Sequence, residues 1–318
     1  MFVVVGTTTA DLFISGVENM PRFDGDEFTS SSLAFCRRPL TMTLGGNGAN
    51  SAYVLRTLGA PVALCSATGT NVVGDTVTGW LEDRGVDLRG VLRREGSTAT
   101  TTTVLDDRLN RISFYYPGLF STFNEADLPG DIWNQAHTLL ITGYRLLPGF
   151  QAEGFAATLR TARGHRLRTA LDIGPAIGAP LTLAELAPLL PLVDYLLANA
   201  YELTVATGVE AVEASTARMQ AAGARCVVAK LGRDGAFVRA AGQAFHVEGF
   251  PIQASVTIGA GDSFNAGLLY ALHEGQSLAE AVVFANATAA LVVQGGQSVL
   301  GAPTAGAVRA FLEKAKHR

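Results

Sequence analysis

The chain has 318 residues, enough to bury a large core, and no Pro-, Gly- or Ser-rich tract divides it, so one large α/β domain with a small appendage is expected rather than two equal halves. A formal net charge of -4 provides no broad basic field, which argues against nucleic acid or an anionic membrane surface as the main partner and leaves small molecules. Cys36, Cys65 and Cys226 are odd in number and far apart, without metal-ligand spacing; free thiols in a reducing cytoplasm are expected, and no zinc site.

The opening MFVVVGTTTADLF lacks a charged n-region and reads as a buried first strand rather than a signal peptide. Further short apolar runs follow, PVALCSA, TLLITG, RTALDI, DYLLAN and RCVVAKLG, each the length of a buried strand. Helical patterns lie between and after them, at 50–58, 75–84, 153–162, 261–273 and 278–293. This alternation predicts a three-layer, doubly wound α/β fold with a mostly parallel sheet. Mean hydropathy is +0.26. The apolar runs are nonetheless interrupted, by Pro191 and Asp194 in one and Glu280 and Asn286 in another, so no membrane span is expected.

Two regions break the alternation. FTSSSLAFCRRPLTMTLGG and TATTTTVLDDRLNRISFYY are rich in Thr, Ser and aromatic residues, and the second holds a polar turn at 106–110 between strand-like halves. Both read as strands of a small sheet projecting from the body as a lid, so that a single domain, 1–318, carries lid segments near 12–43 and 98–117. Phe35, Arg111, Phe114 and Tyr116 are candidates either to close over a substrate or to pack the small sheet or a second subunit. Exposed strand edges of this kind invite cover, and a homodimer through the lid would supply it.

The stretch ASVTIGAGDSFNAGLLYALHEG sets Gly259, Ala260, Gly261 and Asp262 immediately ahead of an apolar helix. Glycines before a helix let backbone N–H groups approach an anion, and the unpaired amides and dipole of the helix N-terminus favour negative charge there. Asp262 would repel that anion unless it has a task, such as taking the proton of an attacking hydroxyl. The plainer reading is a helix cap with glycines completing a turn. Lys230, Lys314 and Lys316 are the lysines of the chain and none precedes Ser or Thr, which excludes a Walker A loop. The first strand is followed by GTTTAD, with a single glycine, so the dinucleotide fingerprint is missing too.

VTIGAGDSFNAG resembles the C-terminal signature of the ribokinase-like (PfkB) family of sugar and nucleoside kinases, and LGGNGANSA resembles its N-terminal one. Between them, GTTTADLFISGVENMP, VVGDTVTGWLEDRGVD, NAYE, KLGRDGAF and ANATAALVVQGG stand in family order over nearly the whole chain. The resemblance implies a Mg²⁺-dependent transfer of the γ-phosphoryl group of ATP to a hydroxymethyl of a sugar or sugar-like acceptor. Asp262 would be the base, and the amides of Gly259, Ala260 and Gly261 would hold the transferred group. Asn199 and Glu202 would organise Mg²⁺ near the phosphates; standing alone, NAYE is equally a capped helix start. Lys230, Gly232, Gly235 and Asn286 would border the nucleotide, although GRDG is also a hairpin turn and Asn286 could bond a neighbour. Asp11, Gly46 and Asn50 would hold the acceptor, and Gly46 and Asn50 are otherwise a turn and a helix start. Nucleoside kinase and a non-catalytic sugar-binding protein on the same fold are the alternatives.

Three positions depart from the family pattern. Val256 stands where members that use a monovalent cation carry Asp, so a weak response to potassium is expected. Thr9 stands where ribose-specific members carry Asn, and DIGPA, from Asp172 to Ala176, lacks the Asn and Arg of several fructose-type members. His137, His165, His246, His273 and His317 fall in none of the motifs and read as structural or solvent-facing.

Overall fold

The computed structural model describes residues 1–106, 111–175, 181–253 and 257–316. Val256, Ala176, His317 and all but Asp106 of the polar turn at 106–110 lie outside the described residues, as does the side chain of Arg111.

The apolar FVVV forms β1 (Phe2–Val5), with all four side chains buried. Strand β2 (Thr9–Ser15) then leaves the main sheet, and β3 (Thr41–Gly45) returns to pair with it antiparallel. Helix α1 (Asn47–Thr57) leads to β4 (Val62–Gly69), and α2 (Val72–Arg84) to β5 (Asp87–Arg94). The side-chain oxygen of Asn71 caps the start of α2, and Gly85, in left-handed conformation, ends it. Strands β6 (Ala99–Leu105) and β7 (Arg111–Tyr116) pair antiparallel in the second sheet. The chain rejoins the main sheet through β8 (Thr138–Thr142), α3 (Gln151–Gly164), β9 (Arg168–Asp172), the single-turn α4 (Leu183–Leu186), β10 (Tyr195–Asn199), α5 (Ala200–Thr207), α6 (Val212–Ala221) and β11 (Cys226–Lys230). An antiparallel pair, β12 (Ala236–Ala240) and β13 (Gln243–Val247), edges that sheet, and α7 (Ala260–His273), α8 (Leu278–Gly295) and α9 (Ala305–Lys316) follow.

The nine strands of the main sheet run in the order β13-β12-β11-β10-β9-β8-β1-β4-β5, all parallel except the β12–β13 edge. From β1 the chain steps outward to β4 and β5, then restarts at β8 and steps the other way, so the order reverses beside β1. Open α/β sheets bind ligands beyond the carboxyl ends of the strands at such a reversal. The pleat divides β1 between two cores: Phe2 and Val4 pack with residues of α1, α2, α7 and α8, and Val3 and Val5 with residues of α3 and α6. Helices thus cover both faces, giving the three layers expected of an alternating sequence.

The second sheet has the order β3-β2-β6-β7, with β2 and β6 parallel. Of FTSSSLAFCRRPLTMTLGG only Thr41–Gly45 is strand, while Ser30–Ser32 is a 3-10 turn. Its Ser, Arg and Pro content lacks the alternation a half-buried strand needs. Helix α8 departs from another expectation: it is long and apolar enough to cross a membrane by length and composition, with 56% of it buried in the core. Glu280 does not interrupt it but caps it, accepting from Ser277 N at 2.9 Å, while Asn286 lies buried inside it.

Candidate active site

Helix α7 begins without a side-chain cap. Its N-cap is Gly259, at φ +77°, where an added Cβ would stand 2.7 Å from Val299 Cγ1, so both conformation and space demand glycine. The first-turn amides of a helix have no partner within it, and here they open onto a large cavity bordered by Ala260 and Gly261. Asp262, in the same turn, accepts from Asn50 Nδ2 on α1 at 2.8 Å. Burial pushes its carboxyl up to about 7, against the Asn50 hydrogen bond; Asp172 adds to the rise and Lys230 opposes it. A carboxyl poised near neutrality is suited to taking a proton.

Behind the helix start, Lys230 at the end of β11 donates to Asp172 Oδ2 at 2.8 Å and to Asn265 Oδ1 at 3.3 Å. Asn265, on α7, also donates to Asp172 Oδ2. Burial disfavours the Lys230 charge, but Asp172 and Glu202 outweigh it and hold the ammonium above its usual range. Its Nζ lies 3.6 Å from where a Cβ on Gly261 would be, so a buried cation stands beside the helix amides. Asn199 and Glu202 form a reciprocal cap at the start of α5: Glu202 N donates to Asn199 Oδ1 at 2.8 Å and Asn199 N to Glu202 Oε2 at 2.7 Å. The capped-helix reading of NAYE is therefore realised. Glu202 is also buried, which pushes it up to about 7; Lys230 counters this, and Asp172 reinforces it.

The cavity measures about 1130 Å³ and is bordered by Lys230, Gly232, Gly235, Phe250 and Asn286, among others. Gly232 has open space where a Cβ would be, as close approach of a ligand requires. Gly235 is different: its Cβ would meet Val247 O at 2.1 Å, so its own chain demands it, and GRDG does connect the antiparallel strands β11 and β12. Asn286 donates to Glu248 O at 3.1 Å and fixes the cavity wall. Among the described residues no group of three or more His, Cys, Asp or Glu side chains forms a metal cage. Mg²⁺ needs none, since it keeps waters and takes one or two carboxylates with substrate phosphates; buried Glu202 is a hard oxygen donor that fits it, whereas Asp172 is engaged by Lys230, Asn265 and Gly174 N.

Asp11 on β2 lies near enough to Asp262 for its charge to raise that carboxyl further. Burial raises the Asp11 carboxyl, against the hydroxyls of Thr9 and Thr101, and Thr9 Oγ1 donates to it at 2.7 Å. Gly45 permits this placement, since an added Cβ there would stand 2.1 Å from Asp11 Cγ. Gly46, at φ +86°, is the N-cap of α1, and Asn50 N donates to its carbonyl at 2.9 Å. Asp11, Gly46, Asn50 and Asp262 are thus brought together, with the field of Asp11 reaching Asp262.

The small sheet's register divides the lid residues between its two faces. Asp11 is opposite Thr101, and Thr101 opposite Tyr115, so Tyr115 shares the face of Asp11 whereas Phe114 and Tyr116 point the other way. Burial pushes the Tyr115 hydroxyl up to about 12, with Asp11 adding to it. Phe114 and Tyr116 are 64% and 54% exposed, and Phe35 is 74% exposed. Sequence reasoning also gave no role to Asp172 and Asn265. A carboxylate ending the buried strand RTALD was the available signal, because a charge there needs a partner.

The family model for pfkB family carbohydrate kinases matches residues 26–305. The chain is 28% identical to a ribokinase of Haemophilus influenzae, covering 98% of each, and 24% identical to a 5-dehydro-2-deoxygluconokinase of Clostridium tetani, covering 88% of this chain and 86% of the relative. The structure of Arabidopsis thaliana ribokinase complexed with ribose and ATP superposes with a TM-score of 0.84 at 24% identity, over 98% of each chain.

Proposed function

The chain belongs to the pfkB family of carbohydrate kinases, and from that premise we propose that it moves the γ-phosphoryl group of ATP to a hydroxymethyl of a sugar or sugar-like acceptor with Asp262 as the base. The observation that carries this reading is the position of Asp262 between two unlike sides. One is the cavity with its helix amides and Lys230, and the other holds Asp11 and Asn50.

ATP would lie in the cavity along Gly232 and Asn286, with its γ-phosphate at the amides of Gly259, Ala260 and Gly261 and against Lys230. These donors and this cation stabilise charge on the equatorial oxygens of the transferring group. Glu202 would hold Mg²⁺ when it is bound, and the ion would supply charge neutralisation for the phosphates. Asp11 and Asn50 hold the acceptor so that one hydroxyl faces Asp262, which takes its proton as the oxygen attacks. Asn50 fixes the carboxylate's orientation through the 2.8 Å hydrogen bond.

A nucleoside acceptor is the second reading, favoured by the ring of Tyr115 on Asp11's face of the small sheet. The opposite face, with exposed Met42, Ile112, Phe114 and Tyr116, supports a homodimer through the lid. Free Cys36, Cys65 and Cys226 suit the cytoplasm. ADP release and phosphorylated product, measured over a panel of sugars and nucleosides, test the proposal. Asp262→Asn should retain ATP binding while kcat falls by about 10²–10⁴-fold. A wild-type protein that binds sugars without releasing ADP would instead be a non-catalytic binder.

A further inference from the structure

The stretch ARGHRLRT, between α3 and β9, belongs to none of the motifs and carries Arg163, Arg166 and Arg168. Folding brings Arg225, just before β11, to the same place, and the four arginines line a cavity of about 270 Å³ in which Asp194 is the one carboxylate. That carboxylate is already engaged. Its Oδ2 accepts from Thr169 N at 2.9 Å and Thr169 Oγ1 at 3.2 Å, and its Oδ1 from Arg225 at 3.2 Å, with Arg163 at 3.8 Å. Arg168 donates to the carbonyl of Leu272 at 3.3 Å, and Arg166 forms no ion pair among the described residues. Four arginines against one aspartate leave an excess of three cations, in a chain whose net charge is -4.

The backbone of Arg166 is a second, independent observation. It sits in the left-handed region, at φ +61°. Its N–H donates to Arg163 O at 2.9 Å and that of Leu167 to Ala162 O at 3.0 Å, the paired closure of a helix C-terminus in which glycine ordinarily takes the left-handed position. A side chain there costs stability relative to glycine. A helix C-terminus does favour a cation, but Arg163 in the last turn of α3 already meets that need.

The place in the fold is also distinct. Strand β9 opens at Arg168, β10 just after Asp194 and β11 just after Arg225, and the same three strands end at Asp172, Asn199 and Lys230. The arginine cluster thus lies at the opposite edge of the main sheet from the candidate active site, a strand length or roughly 15 Å away.

We propose that the cavity lined by Arg163, Arg166, Arg168 and Arg225 is a second anion site, which binds a phosphate-bearing small molecule independently of the nucleotide cavity. Guanidinium groups keep their charge throughout the physiological pH range and meet phosphate oxygens through paired N–H···O contacts. An excess of three cations matches a phosphate dianion better than a monoanionic carboxylate.

Isothermal titration calorimetry on the full chain tests this, in about 0.15 M potassium chloride to screen loose surface attraction. Mg²⁺ and a non-hydrolysable ATP analogue are present at saturation, so that the first-turn amides of α7 and Lys230 are occupied. Inorganic phosphate and a hexose monophosphate are the probes, and at least one should bind with a Kd of about 1 mM or tighter. Arg166→Gly and Arg225→Ala should each weaken that binding at least about tenfold, the worth of one charge-assisted contact. Arg166→Gly should at the same time raise the melting temperature of the ligand-free protein by about 1–3 °C, because the left-handed strain is removed. Loss of binding together with a gain in stability cannot come from a damaged fold. Tighter binding of the hexose phosphate assigns the site to phosphorylated metabolites, and equal binding assigns it to the free ion. Binding of neither probe, or an Arg166→Gly protein that binds as the wild type does, overturns the proposal. Should Arg225→Ala fail to fold, Arg166→Gly decides alone. An analogue that does not bind counts against the kinase reading and leaves the arginine site to be judged by the same variants.

Discussion

In the nine-stranded sheet, β1 buries all four of its side chains and β4 all eight, whereas in the four-stranded sheet β7 leaves Ile112, Phe114 and Tyr116 exposed on its outer face. The main sheet is sandwiched between helices. The small sheet has the site on one face and exposed aromatics on the other. The difference assigns different work to each: the main sheet supplies a fixed floor, on which Lys230, Asp172 and Asn199 end adjacent strands, and the small sheet supplies Asp11 and Tyr115 from above. On this division, loss of a floor residue removes stability or chemistry, and loss of a cover residue alters acceptor choice and association.

The largest stability effects belong to the floor. Lys230→Met would strand the Asp172 carboxylate, 4% exposed, without its cation; urea denaturation should show a loss of about 3–5 kcal/mol, the usual consequence of breaking a buried pair. Leu64→Ala, on fully buried β4, should cost about 2–5 kcal/mol by the same measurement. Phe114→Ser on the outer face of the cover should change unfolding free energy by no more than about 0.5 kcal/mol. On the homodimer proposed through the lid, its effect should appear instead in light scattering, as weaker association. A Phe114→Ser loss comparable to that of Leu64→Ala would erase the distinction between the sheets.

Protonation sharpens the comparison further. Asp262 and Glu202, both pushed up to about 7, must ionise for the base to act and for an oxygen ligand to be charged. With saturating Mg-ATP, acceptor kcat/KM should therefore climb with pH below about 7, close to tenfold per unit where one group limits, and level off above it. Stability runs the opposite way. A carboxyl whose folded pKa lies above its unfolded value stabilises fully below the unfolded value, and the contribution is lost as pH rises through about 7. Ligand-free protein should melt at a higher temperature near pH 5.5 than near pH 8, judged by circular dichroism. Flat profiles for both rate and melting would remove Asp262 as the titrating base.

Legibility in the sequence follows the same boundary. FVVV, TLLITG and DYLLAN read as strands because burial on both faces demands continuous apolar runs. DLRGVLRR did not, since β5 is the sheet's edge and wears arginines toward solvent. In the small sheet, residue composition pointed to strands but not to their faces: with a period of two, a shift of one residue separates Tyr115, which faces the site, from Phe114 and Tyr116, which do not. The partnership of Lys230 with Asp172 could not be read because the two are 58 residues apart and meet only when β9, β10 and β11 align. NAYE was legible as a cap, and the cap geometry does not compete with the phosphate-side role proposed for Glu202, which lies buried near Lys230.

The division between floor and cover is tested most directly by steady-state kinetics of Asp262→Asn and Asp11→Ala, measured side by side with the best acceptor and with ATP. The account predicts that Asp262→Asn lowers kcat by about 10²–10⁴-fold with both KM values little changed, and that Asp11→Ala raises KM for the acceptor at least about tenfold while KM for ATP stays within about twofold. Near-normal turnover by Asp262→Asn, or an Asp11→Ala defect confined to ATP, would contradict it.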